Sequence, residues 1–326
     1  MRKLIVAAFA TMCAVVAPAA PSQAANGVPT FSHVFVIVGE NTSLSQLTTK
    51  NAPYQLGTIK PHSAWLTDYW GISHYSTSNY IAMTSGQFLR CHQLDEKPAT
   101  CNENTSQATD LFGQLTDAGK GWKAWNESMP QPCYLVNSGE NRFGNAYRVK
   151  HNPAAYFEDV VGPDFSGTQG DTFCRQHVVS MGSSTIPNDT STFDAALAAG
   201  NVPAFNYVVP NMCEDGHDNC KPTGGTIKQF DDFLAREVPK ITASPAWDAN
   251  SVIFVVYDEG QDGGPGKAVK FDGGHTPFAV IGDQVHVAQY AGFTNHYNLL
   301  RTIEDGFGLG YAGAAGDVTS ITQIWK

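Results

Sequence analysis

Two adjacent carboxylates, Asp258 and Glu259, follow the apolar run 252–257 and precede Gly260. A run this short and this rich in β-branched residues reads as a strand buried on both faces. Paired negative charges at the carboxyl end of such a strand are costly unless a cation or ligand compensates them, and that edge is where open α/β sheets bind ligands. A second segment repeats the grammar: residues 34–38 are apolar, and after Gly39 come Glu40 and Asn41. If both strands belong to one parallel sheet, Glu40, Asn41, Asp258 and Glu259 converge as an oxygen-rich set suited to one divalent cation. Hard oxygen donors favour Ca²⁺, Mg²⁺ or Mn²⁺ over Zn²⁺. The plain alternative is that each acidic residue caps a helix or closes a turn; the coincidence of two such strand ends favours a site.

A third stretch, residues 71–86, brings hydroxyls: Ser76, Thr77 and Ser78 precede Tyr80, Met83 and Thr84, which have helical spacing, and Gly86 terminates them. A helix that begins among hydroxyls turns its positive end toward them, where an anion also binds. A serine hydroxyl is a weak nucleophile until a base or a cation activates it. A cation held at the strand ends would do so.

The elements that must position these residues follow from periodicity. Helical stripes cover 109–120, 192–199 and 297–305, and Ile227, Phe230, Phe233, Leu234, Val238 and Ile241 mark a longer amphipathic helix. Further strands are expected within 63–70 and over 122–125, 204–209 and 277–281, with a short helix at 44–50. Strands alternating with helices argue a mainly parallel, doubly wound sheet. Residues 128–173, rich in Gly, Asn, Pro and aromatics with little periodicity, read as a loop-rich cap or lid excursion.

Compartment is legible at the amino end. Arg2 and Lys3 precede an apolar run over 4–17, and Ser22, Gln23 and Ala24 make a small-residue cleavage site, so residues 1–24 read as a secretory signal peptide and 25–326 as the exported domain. No later run is long enough to span a bilayer. Removing the signal takes away two positive charges and no negative ones, so the formal charge of −10 becomes −12. That surface does not hold nucleic acid through its phosphates. Six cysteines remain, and an even count in an exported chain favours disulfides. Cys91 with Cys101 and Cys213 with Cys220 close short polar loops, which leaves Cys133 to meet Cys174.

The pieces VFVIVGENTS, SHYSTSNYIAMTSG, YRVKHNPAAYF, VVPNMCEDGHD, VVYDEG and NHYNLLRTIEDGFGL, in this order, resemble the phosphoesterase family of bacterial acid phosphatases and phospholipases C, within the alkaline phosphatase superfamily. The resemblance implies a three-layer α/β/α sandwich and phosphate-ester hydrolysis at a divalent metal, through a hydroxyl that is transiently phosphorylated. By position it makes Ser76 the nucleophile and sets Asn79 against a phosphate oxygen. Tyr75, Thr77 and Ser78 stand where the family usually has Pro, Leu and Pro, so Thr77 and Ser78 are rival nucleophiles. Gly39 stands where the family commonly has Met. His151 and His217 fall in matched blocks, where imidazoles bond phosphate oxygens or protonate a leaving alkoxide. Lys150 adds charge for the phosphate, and His74 flanks the nucleophile as a further substrate contact. His296 and Asp215 lie in matched blocks without an assigned role, and His275 sits where it could close the site. The expected substrate is a small phosphate ester, a monoester first; a phospholipid headgroup cleaved by phospholipase C chemistry is the alternative, and a secreted metal or phosphate binder without turnover is the alternative of another class. Oligomeric state is not legible.

Overall fold

The computed structural model describes residues 25–88, 94–101, 109–140, 144–220, 224–262 and 273–326. In chain order the elements are β1 (Val34–Gly39), β2 (Ala64–Trp70), α1 (Ser76–Ser85), α2 (Leu111–Asp117), β3 (Trp122–Asn126), α3 (Glu158–Val161), α4 (Thr172–His177), β4 (Val178–Ser180), α5 (Ser191–Ala198), β5 (Phe205–Val209), α6 (Thr226–Thr242), β6 (Val252–Tyr257), β7 (His275–Ile281), β8 (Ala288–Tyr290), β9 (Thr294–Asn295) and α7 (His296–Phe307). One sheet runs in the order β4-β3-β5-β1-β6-β7-β2-β8, with β9 on β2. Among the strands of the described residues only β7 is antiparallel to its neighbours, β6 and β2. The central pair sets the site: β1 and β6 are parallel, with Val38 opposite Val256 and Gly39 opposite Tyr257. Both acidic strand ends therefore leave the sheet side by side.

Period-two alternation splits the strands between two cores. Val34, Val36, Val38, Val252, Phe254 and Val256 face a cluster with Tyr80, Phe112, Leu299 and Ile303 from α1, α2 and α7. Phe35, Ile37, Ile253, Val255 and Tyr257 face Phe193, Leu197, Phe230, Phe233 and Leu234 from α5 and α6. The result is the three-layer α/β/α sandwich expected. Gly39 has a packing reason, because a Cβ there would lie 2.5 Å from the Phe230 ring.

Residues 146–161 of the loop-rich excursion are mostly buried: Tyr147, Tyr156 and Phe157 sit in the larger cluster and offer no ring to a ligand. Disulfides join Cys133 to Cys174 and Cys213 to Cys220. Cys91, and with it the expected pairing to Cys101, lies outside the described residues, as does the expected signal peptide. Among the described residues no helix is long and apolar enough to cross a membrane.

Candidate active site

Four carboxyl edges supply the centre. Glu40 follows β1, Asp258 and Glu259 follow β6, and Asp215 follows β5, whose register beside β1 brings it alongside. The Glu40 amide donates to the Asp215 carbonyl at 2.8 Å, tying the β1 and β5 ends together. Asp258 Oδ1 accepts from the backbone amides of Asn41 at 3.0 Å and Glu259 at 2.6 Å. Asn41 adopts φ 47, a left-handed conformation that asparagine tolerates better than most residues. The buried His296 ring lies between the Tyr69 hydroxyl, 2.8 Å from Nδ1, and the Asp258 carbonyl, 2.6 Å from Nε2. It pins the end of β6, and burial holds it at a pKa of about 4.

Ser76 opens α1. Its hydroxyl donates to Glu40 Oε2 at 3.0 Å. The residue before it, Tyr75, is held at φ 87, an unusual backbone for a bulky side chain and one found at sites that constrain a reacting group. Thr77 and Ser78 are also buried, but Thr77 Oγ1 bonds Asp95. Asn79 differs from expectation: its Oδ1 accepts from the amides of Ile72 and Ser73, and its Nδ2 donates to the Ser73 and Tyr75 carbonyls. It braces the turn that presents Ser76.

An open pocket of about 490 Å³ is lined by Asn41, His74, Tyr75, Ser76, Asp95, Lys150, His217 and Glu259, among others. His74 Nδ1 is 2.7 Å from Glu259 Oε2, whose carboxyl is pushed up to about 9 by burial and by Asp258. His217 Nδ1 is 2.8 Å from Asp218. Lys150 Nζ is 2.9 Å from Asp95; burial pulls its pKa down, but Glu40 and Asp95 outweigh this and hold the ammonium above its ordinary value. His275 does not reach the pocket lining; it stacks on Trp70 and bonds the Thr67 carbonyl.

His151 lies beneath the pocket rather than in its lining. Its Nε2 is 3.2 Å from Glu40 Oε1 and its Nδ1 3.1 Å from Asp215 Oδ2, with Tyr80 stacked on its ring at 5.2 Å. Asp215 and His151 as partners of Glu40 are the part that reading strand ends missed; the EDGHD and VKHNP blocks were the available signal.

These groups fit a metal ion. One ligand atom each from Glu40, His151 and Asp215 lie within 4.8 Å of one another, all three residues buried. Glu40 Oε1, His151 Nε2 and Asp258 Oδ2 are buried without a hydrogen bond, an arrangement that is costly unless something else satisfies them. Burial, then mutual repulsion with Asp258, raises the proton affinity of both Glu40 and Asp215 well above the carboxylate range, while burial lowers that of His151. Compensation by a cation would reverse the shift in the carboxyls.

The chain as a whole is similar to known proteins. A phosphatidylinositol-3-phosphatase of Mycobacterium tuberculosis is 27% identical over 303 residues, which are 93% of this chain and 85% of that protein. A probable acid phosphatase of Kluyveromyces lactis is 24% identical over 299 residues, 90% of this chain, which spans only 62% of the yeast protein. Among solved structures, an alkaline phosphatase superfamily protein from Vibrio parahaemolyticus shares the fold with a TM-score of 0.58 at 12% identity, over 89% of this chain and 71% of its own. A model of the Phosphoesterase family matches residues 35–310, so the chain belongs to that family and is a phosphoric ester hydrolase.

Proposed function

We propose that the chain is a secreted, metal-dependent phosphoric monoester hydrolase that uses Ser76 as nucleophile and passes through a phosphoserine. One observation carries this reading: the Ser76 hydroxyl, at the positive end of α1, donates to buried Glu40 at 3.0 Å while lining the same pocket as Lys150 and His217. As the bond from Ser76 Oγ to phosphorus forms, the hydroxyl proton passes to Glu40 Oε2. The bond from phosphorus to the alcohol oxygen breaks on the opposite side, and the departing oxygen takes a proton from His217, whose ring Asp218 orients. Lys150 holds a phosphate oxygen. Water then attacks the phosphoserine, giving a proton to His217, and Ser76 recovers its own from Glu40.

Glu40, Asp215 and His151, with Asp258 and Asn41 alongside, would hold a divalent ion. When bound, such an ion lowers the pKa of a neighbouring hydroxyl and screens the charge of the phosphate. Glu259 holds His74 and His217 faces the substrate, so the ligand set leans on His151 and Asp215 more than on Glu259. The domain reading is a signal peptide over 1–24 followed by a single phosphoesterase domain over 25–326, with 128–173 as its cap wall. The two disulfides support an oxidising compartment.

A lipid headgroup is favoured as the carrier of the ester by the pocket lining, where the Tyr75 side chain is 50% exposed. The name of the mycobacterial relative describes a monoester of that kind. A screen of monoesters, diesters and phospholipids separates phosphatase from phospholipase C action and from mere binding. For the mechanism, Ser76→Ala is expected to lose nearly all turnover, and trapping during turnover should place phosphate on Ser76 by mass spectrometry. Phosphate on Thr77 or Ser78 would move the nucleophile; substantial turnover by Ser76→Ala with no phosphopeptide in the wild type would refute the covalent route.

A further inference from the structure

The pocket contains an anion of its own. Asp95 Oδ1 lies 3.1 Å from both the amide and the hydroxyl of Thr77 in the first turn of α1, and Oδ2 lies 2.9 Å from Lys150 Nζ. A phosphate on its way to Ser76 needs the same two groups, a helix amino end and an ammonium. Capping alone does not account for the arrangement. A cap acceptor ordinarily comes from the residue just before the helix, yet Tyr75 occupies that place with no side-chain cap, and the carboxylate arrives from 18 residues further along the chain. Asp95 is set there by its neighbours: its own backbone is at φ 50, and the buried Tyr156 hydroxyl donates to the Glu96 carbonyl at 3.0 Å. It shares the pocket lining with Ser76, Lys150 and His217.

We infer that Asp95 is a built-in competitor for the phosphate of the substrate. Its carboxylate satisfies Thr77 and Lys150 when no phosphate is present, and it must give up Lys150, or repel the incoming charge, when one binds. The cost falls on substrate and product alike, so Asp95 weakens phosphate binding and speeds the release of inorganic phosphate, at the expense of KM. Two like charges a few ångströms apart in a partly solvated pocket are worth about tenfold in binding, between the limits for water and for a protein surface. The inference rests on the reading of this pocket as the phosphate site.

Titration calorimetry with inorganic phosphate tests both separately, because binding needs no turnover. Asp95→Asn keeps the acceptor for Thr77 and removes the charge; it should bind phosphate about tenfold more tightly than wild type, with a lower KM for p-nitrophenyl phosphate. Asp95→Ser is the second variant, and it should shift affinity the same way. Lys150→Ala should weaken phosphate binding. If Lys150→Ala weakens binding but neither Asp95 variant tightens it, the competitor is refuted and the pocket stands. If Lys150→Ala leaves phosphate affinity unchanged, the phosphate does not bind here and both fall. Weaker binding by Asp95→Asn would make Asp95 a positioner of Lys150, and absence of binding in wild type and both Asp95 variants would equally overturn the proposal.

Discussion

Glu214 and Asp215 are neighbours in sequence but serve two different buried acidic clusters. Asp215 joins Glu40, Asp258 and His151. Glu214 instead meets Arg236, whose Nη1 and Nη2 lie 2.8 and 2.5 Å from its two oxygens and whose Nε lies 2.7 Å from Glu237. Lys240 adds a second ammonium, 3.2 Å from Glu237 and 2.7 Å from Asp194. Burial, and then Glu214 beside it, raises the proton affinity of Glu127 well above the ordinary carboxylate range. The second cluster carries its counter-charges covalently. Among the described residues the ammonium nearest the first is that of Lys150, already engaged by Asp95, and three ligand-type atoms are left without hydrogen bonds. Buried negative charge that the chain neutralises itself is architecture; buried negative charge left over marks a place for something the chain does not supply.

The largest effect should come from taking a charge out of the first cluster. Asp258→Asn keeps the acceptor for the Asn41 and Glu259 amides, so the turn survives. Turnover should fall at least about a hundredfold, as expected when a group supporting a metal centre is lost. The metal-free variant should melt higher than metal-free wild type, because one uncompensated carboxyl is gone. Prolonged chelation should abolish wild-type hydrolysis, reversibly on adding divalent ion. Full activity in protein shown metal-free by elemental analysis would end the metal reading and remove the contrast between the clusters.

In the second cluster the outcome should invert. Arg236→Met strands Glu214 and leaves Glu237 with Lys240 as its counter-charge, and breaking a buried pair from one side costs about 3–5 kcal/mol. Denaturant unfolding should show that loss, while turnover per folded molecule stays at the wild-type value. A drop in turnover without a drop in stability would mean that Glu214 reaches the site through Asp215, and the two clusters would then be one.

Periodicity alone carried the doubly wound sheet, since the apolar runs at 34–38 and 252–257 and the stripe from Ile227 to Ile241 each have one viable period, while the three-layer sandwich came with the family resemblance. It also brought Glu40 beside Asp258, because two parallel strands that end in acid must present those acids together. It was silent on β7, whose apolar run looks the same whichever way it runs; the structure lays it antiparallel to both β6 and β2. His151 was legible as a site residue but not as a buried one, because a histidine between Lys150 and Asn152 gives no sign of burial in a loop that has no period. Asp95 was not legible at all. Its partners are 18 and 55 residues away, and nothing local distinguishes it from other acids in a polar loop.

A third kind of buried carboxyl sharpens the comparison with the smallest expected effect. Glu304, in α7, has neither an ion pair nor a place in either cluster: Oε1 accepts from the Ala312 amide at 2.7 Å and Oε2 is buried without a partner. With no cation to hold, it holds a proton, and burial pushes its carboxyl up to about 8. The folded state therefore binds that proton more tightly than the unfolded state does. Its stabilising contribution is complete below the unfolded value near 4.5 and is lost as pH rises through the window up to about 8. Glu304→Gln keeps the acceptor for Ala312 and cannot ionise, so it should lack this loss. The amide puts two donors where Oε2 had no partner, which offsets the absolute stability but not its slope. The difference in unfolding free energy, variant minus wild type, should therefore rise by an amount on the order of 3 kcal/mol between pH 5 and pH 8. Parallel curves over that range would show that Glu304 is already ionised in the folded protein. A counter-charge would then have to reach it, and Arg301, one turn earlier on α7, would be the first residue to test.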